Sequence, residues 1–256
     1  MEVMIKTVNL TKIYAGYIRA VDNLNLEIHS GETFGLLGPN GAGKTTTIRI
    51  LNAIIKPTSG KAFVGGYDVV EKSDEVKRIT GLLPESAGVY EKLTAREFLT
   101  FIGKLYDVDK SILSDRINDL LELFDLDDRA DDLLESYSRG MKQKVLLACA
   151  LVHDPPILFL DEPTATLDPA SAKMVKDMIK LLVKKVKKTV VIATHILTIA
   201  QEICDRVGII DMGSLRAVGT PEELMEQTET ETLEDAFIRV TGRTQKEAKE
   251  LLGWLE

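Results

Sequence analysis

The chain has 256 residues, enough for one large domain or two closely joined ones with a sizeable core, which excludes a peptide or a disulfide scaffold. With 45% hydrophobic and 28% charged residues, its composition is that of an ordinary globular protein and not of a disordered chain. Against 40 Asp+Glu stand 32 Lys+Arg, a net charge of -8, so the broad basic footprint needed to bind a phosphate backbone is missing and no nucleic-acid partner is expected.

Cys149 and Cys204 lie far apart, without metal-ligand spacing to His29, His153 or His195, and read as core residues of a reducing compartment. The longest apolar run, from Val145 to Val152, is far shorter than the roughly 20 residues that cross a bilayer. The N-terminal residues lack the basic-then-apolar pattern of a secretory signal, and a cytoplasmic location is expected.

In chain order, strand-like runs at Val3 to Leu10, Leu24 to Ile28 and Thr33 to Leu37 lead through a glycine-rich turn into a helical pattern from Lys44 to about Asn52. A strand at Ala62 to Val64, a charged helix at Glu71 to Arg78 and a strand at Ile79 to Leu83 follow. From Thr94 to Val152 the pattern is helical almost throughout, opened by the capping box Thr94-Ala95-Arg96-Glu97. Strand texture returns at Ile157 to Leu160 and Thr189 to Ala193, around a helix that Asp168-Pro169 starts and that runs to about Lys185. Arg206 to Ile210 and Ser214 to Val218 read as a terminal strand pair. Thr220-Pro221-Glu222-Glu223 and Thr244-Gln245-Lys246-Glu247 then open helices. Apolar strands alternating with helices predict an α/β core with a mainly parallel sheet. The expected division is a core with an antiparallel β subdomain over residues 1–85 and 156–220, an inserted helical subdomain at 86–155 and a helical extension at 221–256. Lys184, Lys185, Lys187 and Lys188 read as a wetted helix end.

The strongest local signal is Gly38-Pro39-Asn40-Gly41-Ala42-Gly43-Lys44-Thr45, set between a predicted strand and a predicted helix. Its glycines let backbone amides converge on phosphate oxygens, the helix N-terminus adds positive potential, Lys44 supplies a cation, and the Thr45 hydroxyl, followed by Thr46, can meet Mg²⁺. The run Ile157-Leu158-Phe159-Leu160 ends in Asp161-Glu162, two carboxylates at the edge of a buried strand. Asp161 is the candidate metal ligand and Glu162 the candidate base for a water attacking a terminal phosphate.

On these residues, and on Tyr137-Ser138-Arg139-Gly140-Met141-Lys142-Gln143-Lys144, the chain resembles the ATP-binding subunits of ABC transporters over roughly residues 1 to 220. The resemblance implies a P-loop NTPase core that binds ATP with Mg²⁺ and hydrolyses it. Two such subunits, alike or different, close head to tail, so Ser138 and Gly140 complete a site on the partner copy. It implies further that Ala165-Thr166-Leu167-Asp168 is the D-loop, His195 the switch histidine and Tyr14 the aromatic that stacks on adenine, with Tyr17 a weaker candidate.

Three departures from the family pattern stand out. Glu85 replaces the usual glutamine after Leu83-Pro84 and is a candidate metal ligand, while Arg139 and Met141 thin the donors of the signature. Together with the tail Thr232 to Gly242 they resemble the subgroup that energises exporters of drugs, antibiotics and polysaccharides. On that resemblance the chain is a peripheral subunit on the inner face of the membrane, joined to separate transmembrane subunits, and Glu85 to Glu97 is their docking segment, with Glu91 and Lys92 as its charges. The alternative is a soluble ABC-type ATPase acting on a partner outside the membrane.

Overall fold

The computed structural model describes residues 2–85 and 88–242. The helix expected to open at Thr244 lies outside them. The N-terminal strands β1 (Val3–Tyr14) and β2 (Ile18–His29) form one long antiparallel hairpin. Both run further than their apolar stretches suggest. Most of the added residues, Lys12 and Arg19 among them, are held by pairing across the hairpin and bury little, Val21 excepted, so no alternation marks them. The buried side chains Ile5, Leu10, Val21, Leu24, Leu26 and Ile28 rest on the main sheet.

Strand β3 (Thr33–Leu37) is buried at every position and leads into α1 (Lys44–Leu51). β4 (Ser59–Val64) and β5 (Tyr67–Asp68) complete the first sheet in the order β2-β1-β4-β5. After α2 (Ser73–Ile79), β6 (Thr80–Leu83) enters the second sheet, and α3 (Ala95–Leu105), α4 (Lys110–Leu123) and α5 (Arg139–Leu151) follow. The expected helical texture is broken between α4 and α5. Residues 127–129 and 134–136 form only short 3-10 turns, because Leu134 and Glu135 donate their amides to the Leu93 and Glu91 carbonyls instead of to a helix. The Thr94 capping box is present at the start of α3.

The chain then supplies β7 (Ile157–Asp161), α6 (Pro169–Lys184), β8 (Thr189–Thr194), α7 (Leu197–Ile203), β9 (Arg206–Asp211), β10 (Ser214–Gly219), α8 (Pro221–Gln227) and α9 (Leu233–Thr241). The second sheet has the order β10-β9-β3-β8-β7-β6, parallel throughout except for β10. β3, β7 and β8 are buried from end to end, as strands covered on both faces must be.

Parallel register brings the carboxyl ends of the strands to one edge: Leu37 lies opposite Thr194, Asp161 opposite Ala193, and Leu83 opposite Leu160. α5 crosses β6 so closely that a Cβ on Gly81 would stand 2.0 Å from the Ala150 carbonyl oxygen. Just beyond α5, His153 stacks on Tyr106 with ring centroids 3.8 Å apart and donates its Nε2 hydrogen to the Thr80 carbonyl at 3.0 Å; burial lowers the pKa of this imidazole and favours its neutral form. The two sheets are tied at Gly213, which donates its amide to Ala42 at 2.9 Å and accepts from Asp22 of β2 at 2.8 Å, and by Arg206 of β9, which donates to the Glu27 carbonyl of β2 at 3.4 Å. Cys204 is buried and Cys149 partly so, and burial pushes both thiols up to about 12, which keeps them protonated.

Candidate functional site

The shared sheet edge gathers four sequence-distant segments: the glycine loop after β3, Glu85 after β6, Asp161-Glu162 at the end of β7, and Thr194-His195 after β8. Such an edge is where open α/β sheets bind ligands. A pocket of about 270 Å³ opens there, lined by Ala20, the loop from Asn40 to Thr46, Glu85, Asp161 and Glu162.

The loop's shape follows from its glycines. Gly43, the N-cap of α1, has φ 106°, and a Cβ there would lie 2.2 Å from the Ala20 carbonyl oxygen, so no other residue fits. No side chain caps α1 and its first turn carries no acid, which leaves the first amides and the positive end of the helix open to an anion. Gly38 and Pro39 turn their carbonyls to the Lys44 ammonium, which donates to them at 2.7 and 3.1 Å. Burial pushes the Lys44 pKa down, while the carboxylates of Glu162, Asp161 and Glu85 oppose that shift.

Asp161 is 1% exposed, and neither carboxylate oxygen has a hydrogen-bond partner. Its pKa is raised to about 6, first by burial and then by the charges of Glu85 and Glu162. The Thr45 hydroxyl is near enough to lower it, as is Lys44, yet makes no hydrogen bond of ordinary geometry with either oxygen. A buried acid with two idle oxygens beside a hydroxyl and a second carboxylate has the donor chemistry of a site for a hard divalent cation.

Glu162 is held differently. Its backbone is left-handed, φ 50°, with its amide on the Ala193 carbonyl at 2.9 Å. One carboxylate oxygen accepts from the Thr194 hydroxyl at 2.9 Å, and the other from the His195 amide at 3.0 Å and the His195 Nδ1 at 2.7 Å. The candidate base and the candidate switch histidine are therefore hydrogen-bonded to each other. Thr194, which completes this set, was not a candidate in the sequence. Its signal was position, the last residue of a buried strand just before His195.

Ser138, Gly140 and Tyr14 are elsewhere. Ser138 is exposed and caps α5, its hydroxyl accepting from the Met141 amide at 3.2 Å. A Cβ on Gly140 would lie 3.6 Å from the Thr166 carbonyl oxygen, so the signature runs beside the D-loop segment, whose Asp168 caps α6 through the Ala170 and Ser171 amides. Tyr14 ends β1, with the Lys12 ammonium 5.2 Å from its ring centre, and Tyr17 is largely exposed in the hairpin turn. None of Ser138, Gly140, Tyr14 or His195 lines the pocket.

The charges expected at the docking segment are paired within the chain. Glu91 binds Lys142 of α5 at 2.7 Å and Lys92 binds Glu135 at 2.5 Å. The segment also offers an aromatic ring: Tyr90 is exposed and meets the exposed Phe101 of α3, just beyond the segment, edge to face at 5.9 Å. Among the described residues no helix is long and apolar enough to cross a membrane, and no cluster of His, Cys, Asp and Glu forms a metal centre of their own.

The ABC transporter family pattern matches residues 21–165, more than half of the chain. The linearmycin resistance ATP-binding protein LnrL of Bacillus subtilis is 36% identical over 90% of this chain and 73% of its own length. The daunorubicin/doxorubicin resistance ATP-binding protein DrrA of Streptomyces peucetius is 41% identical over 86% of this chain and 66% of its own. Among solved structures, an ATP-binding subunit of an ABC transporter superposes with a TM-score of 0.85 at 28% identity, over 93% of this chain and 99% of that one. The dimeric cassette MJ0796 in a post-hydrolysis state with ADP and Pi gives 0.78, also at 28% identity, over 85% and 98%. A loop built for a polyphosphate, an acid pair at the same edge and a match of this extent leave one assignment: the chain belongs to the ABC transporter family, as an ATP-binding, ATP-hydrolysing subunit.

Proposed function

We propose that this chain is the motor of an exporter, closing head to tail with a second cassette around ATP and driving separate transmembrane subunits, peripherally on the inner face of the membrane. The observation that carries the reading is the separation of the two halves of the site: the pocket takes its lining from the loop, Glu85, Asp161 and Glu162, whereas Ser138 and Gly140 sit at another helix start with nothing of the pocket before them.

In this reading Lys44 and the loop amides from Asn40 to Thr46 grip the β- and γ-phosphates, and Tyr14 stacks on adenine. Thr45, Asp161 and Glu85 hold Mg²⁺, for which the idle buried oxygens of Asp161 are the fitting feature. When bound, the cation supplies positive charge to the phosphate oxygens. Glu162 orients and deprotonates the attacking water, and His195 releases it and turns its ring to the terminal phosphate. Ser138 and the Gly140 amide of the second copy complete the donor set. Closure persists while the terminal phosphate makes contacts that the open state lacks.

Export is supported by the drug-resistance names of LnrL and DrrA. A shallow apolar pocket of about 470 Å³ at Tyr90, Leu93 and Phe101 is the seat proposed for a helix of the transmembrane partner. The central test is Glu162→Gln. It is expected to bind ATP, to elute as a dimer in size exclusion and to hydrolyse at least 100-fold more slowly. Hydrolysis at the parent rate removes Glu162 as the base.

A further inference from the structure

Away from the nucleotide edge, α4 and α6 lie side by side without filling the space between them. A cleft of about 780 Å³ separates them, floored by the end of α5 at Leu151. Its walls are apolar: Leu120 and Leu123 from α4 face Met174, Met178, Leu181 and Leu182 from α6. Leu123 and Leu181 are 44% and 56% exposed, so a contiguous apolar surface stands open to solvent. The opposite side of α6 is already used, since Lys176 and Lys180 both bind Glu202 of α7.

The polar groups of the cleft cancel. At its inner end Lys188 is buried and donates to Asp154 and to the Pro155 carbonyl, both at 2.6 Å. On the α4 wall Arg116 bonds the Val152 carbonyl at 2.9 Å and has Asp119 beside it; on the α6 wall Lys173 is followed one turn later by Asp177. Among the described residues Asp119, Lys173 and Asp177 form no ion pair. Each wall thus presents one cation and one anion at its rim, and no net field favours a charged guest.

We propose that this cleft is a binding site for an uncharged or zwitterionic amphipathic small molecule, whose occupancy alters nucleotide turnover. The volume lies within the range of about 300–1,000 Å³ typical of small-molecule sites, and two methionines give walls that can adapt. Coupling follows from where the walls lead. α6 begins at Asp168 of the D-loop, and α5, which floors the cleft, begins at Ser138 of the signature. An occupant held between α4 and α6 and resting on Leu151 of α5 touches both elements that carry these two motifs, so their relative position and its occupancy are linked. The regulatory half of this inference rests on the function proposed above, and the binding half does not.

The probe is N-phenyl-1-naphthylamine, uncharged and amphipathic, added to the full-length chain without nucleotide. Saturable one-site fluorescence in the micromolar range is expected, at least tenfold weaker in Leu181→Glu and within twofold in Val186→Glu, an exposed apolar site off the cleft. Anionic 8-anilinonaphthalene-1-sulfonate is expected to bind at least tenfold more weakly. Met174→Trp, which fills the cleft, should exclude the probe. Saturating probe should shift the KM for ATP at least threefold in the parent and not in Leu181→Glu. Lys44→Ala, defective in hydrolysis, should bind the probe as the parent does, which separates this site from the nucleotide reading. The proposal is overturned by absence of saturable binding, by equal affinity in Leu181→Glu, by equal affinity for the anionic probe or by an unmoved KM. Probe affinity that falls as protein concentration rises makes a second copy of the chain the occupant and overturns it as well.

Discussion

The glycine loop and the signature are both polar helix starts, yet they stand in opposite conditions. At the loop, charge is crowded and unsettled: three carboxylates surround Lys44, Asp161 is buried with idle oxygens, and α1 has no cap. At the signature the local demand is met, because Ser138 caps α5 with its own hydroxyl and, like Arg139, faces solvent. The first arrangement gains from taking in a polyphosphate and a cation. The second gains nothing by itself and acquires a use only when another molecule approaches. The composite site proposed above, in which one half recruits the ligand and the other completes it on closure, would rest on that contrast.

The contrast can be broken at several points. The largest effect is expected for Lys44→Ala, which leaves three acids without their cation; phosphate release should fall at least 100-fold, and turnover within tenfold of the parent would mean that the loop half does not depend on this ammonium.

Next comes Asp161→Asn, read as stability. The folded pKa of about 6 lies above the ordinary 3.8, so the protonated form is favoured on folding and the ionised form costs stability. Without nucleotide or Mg²⁺ the cost is absent below about pH 4, grows between pH 4 and 6, and is complete above 6. Asp161→Asn should therefore be more stable than the parent by about 3 kcal/mol at pH 7.5, with most of the gain gone at pH 4. Denaturant unfolding at the two pH values tests this, and equal stability at both would mean that the carboxylate is not strained.

Ser138→Asp sharpens the other half. Aspartate caps a helix as well as serine does, so folding is kept, but its charge repels a terminal phosphate. Turnover should drop about tenfold while nucleotide affinity of the single subunit stays within twofold. Unchanged turnover would leave the signature as a cap alone. The smallest effect is expected for Glu85→Gln, a shift of about threefold in the Mg²⁺ concentration for half-maximal hydrolysis, read by metal titration. An unmoved titration curve removes Glu85 from the metal shell.

What the sequence disclosed and what it hid divide along range. Strands buried on both faces are continuous apolar words, so β3, β7 and β8 were legible, and so was the acid pair that ends β7. The glycine loop is local and was read residue by residue. The bond between Glu162 and His195 was not, because it depends on Asp161 lying opposite Ala193 across two strands with 31 residues between them. Glu91 and Lys92 looked like free docking charges because their partners, Lys142 and Glu135, come from the far side of the helical segment. Lys188 was read as part of a wetted lysine cluster and is buried on Asp154, for the same reason. The α4 and α6 faces that bound the cleft are ordinary amphipathic stripes, and nothing in periodicity says that two such stripes fail to meet.

The pair of hydrogen bonds through Gly213 carries a last consequence. Because this one residue is pinned by its amide to Ala42 and by its carbonyl to Asp22, the hairpin that ends at Tyr14 and the glycine loop cannot drift apart without breaking backbone contacts. If Tyr14 is the aromatic platform proposed above, its span to the glycine loop is held like the jaws of a caliper locked at its pivot, and the reach of a guest would be gauged against it.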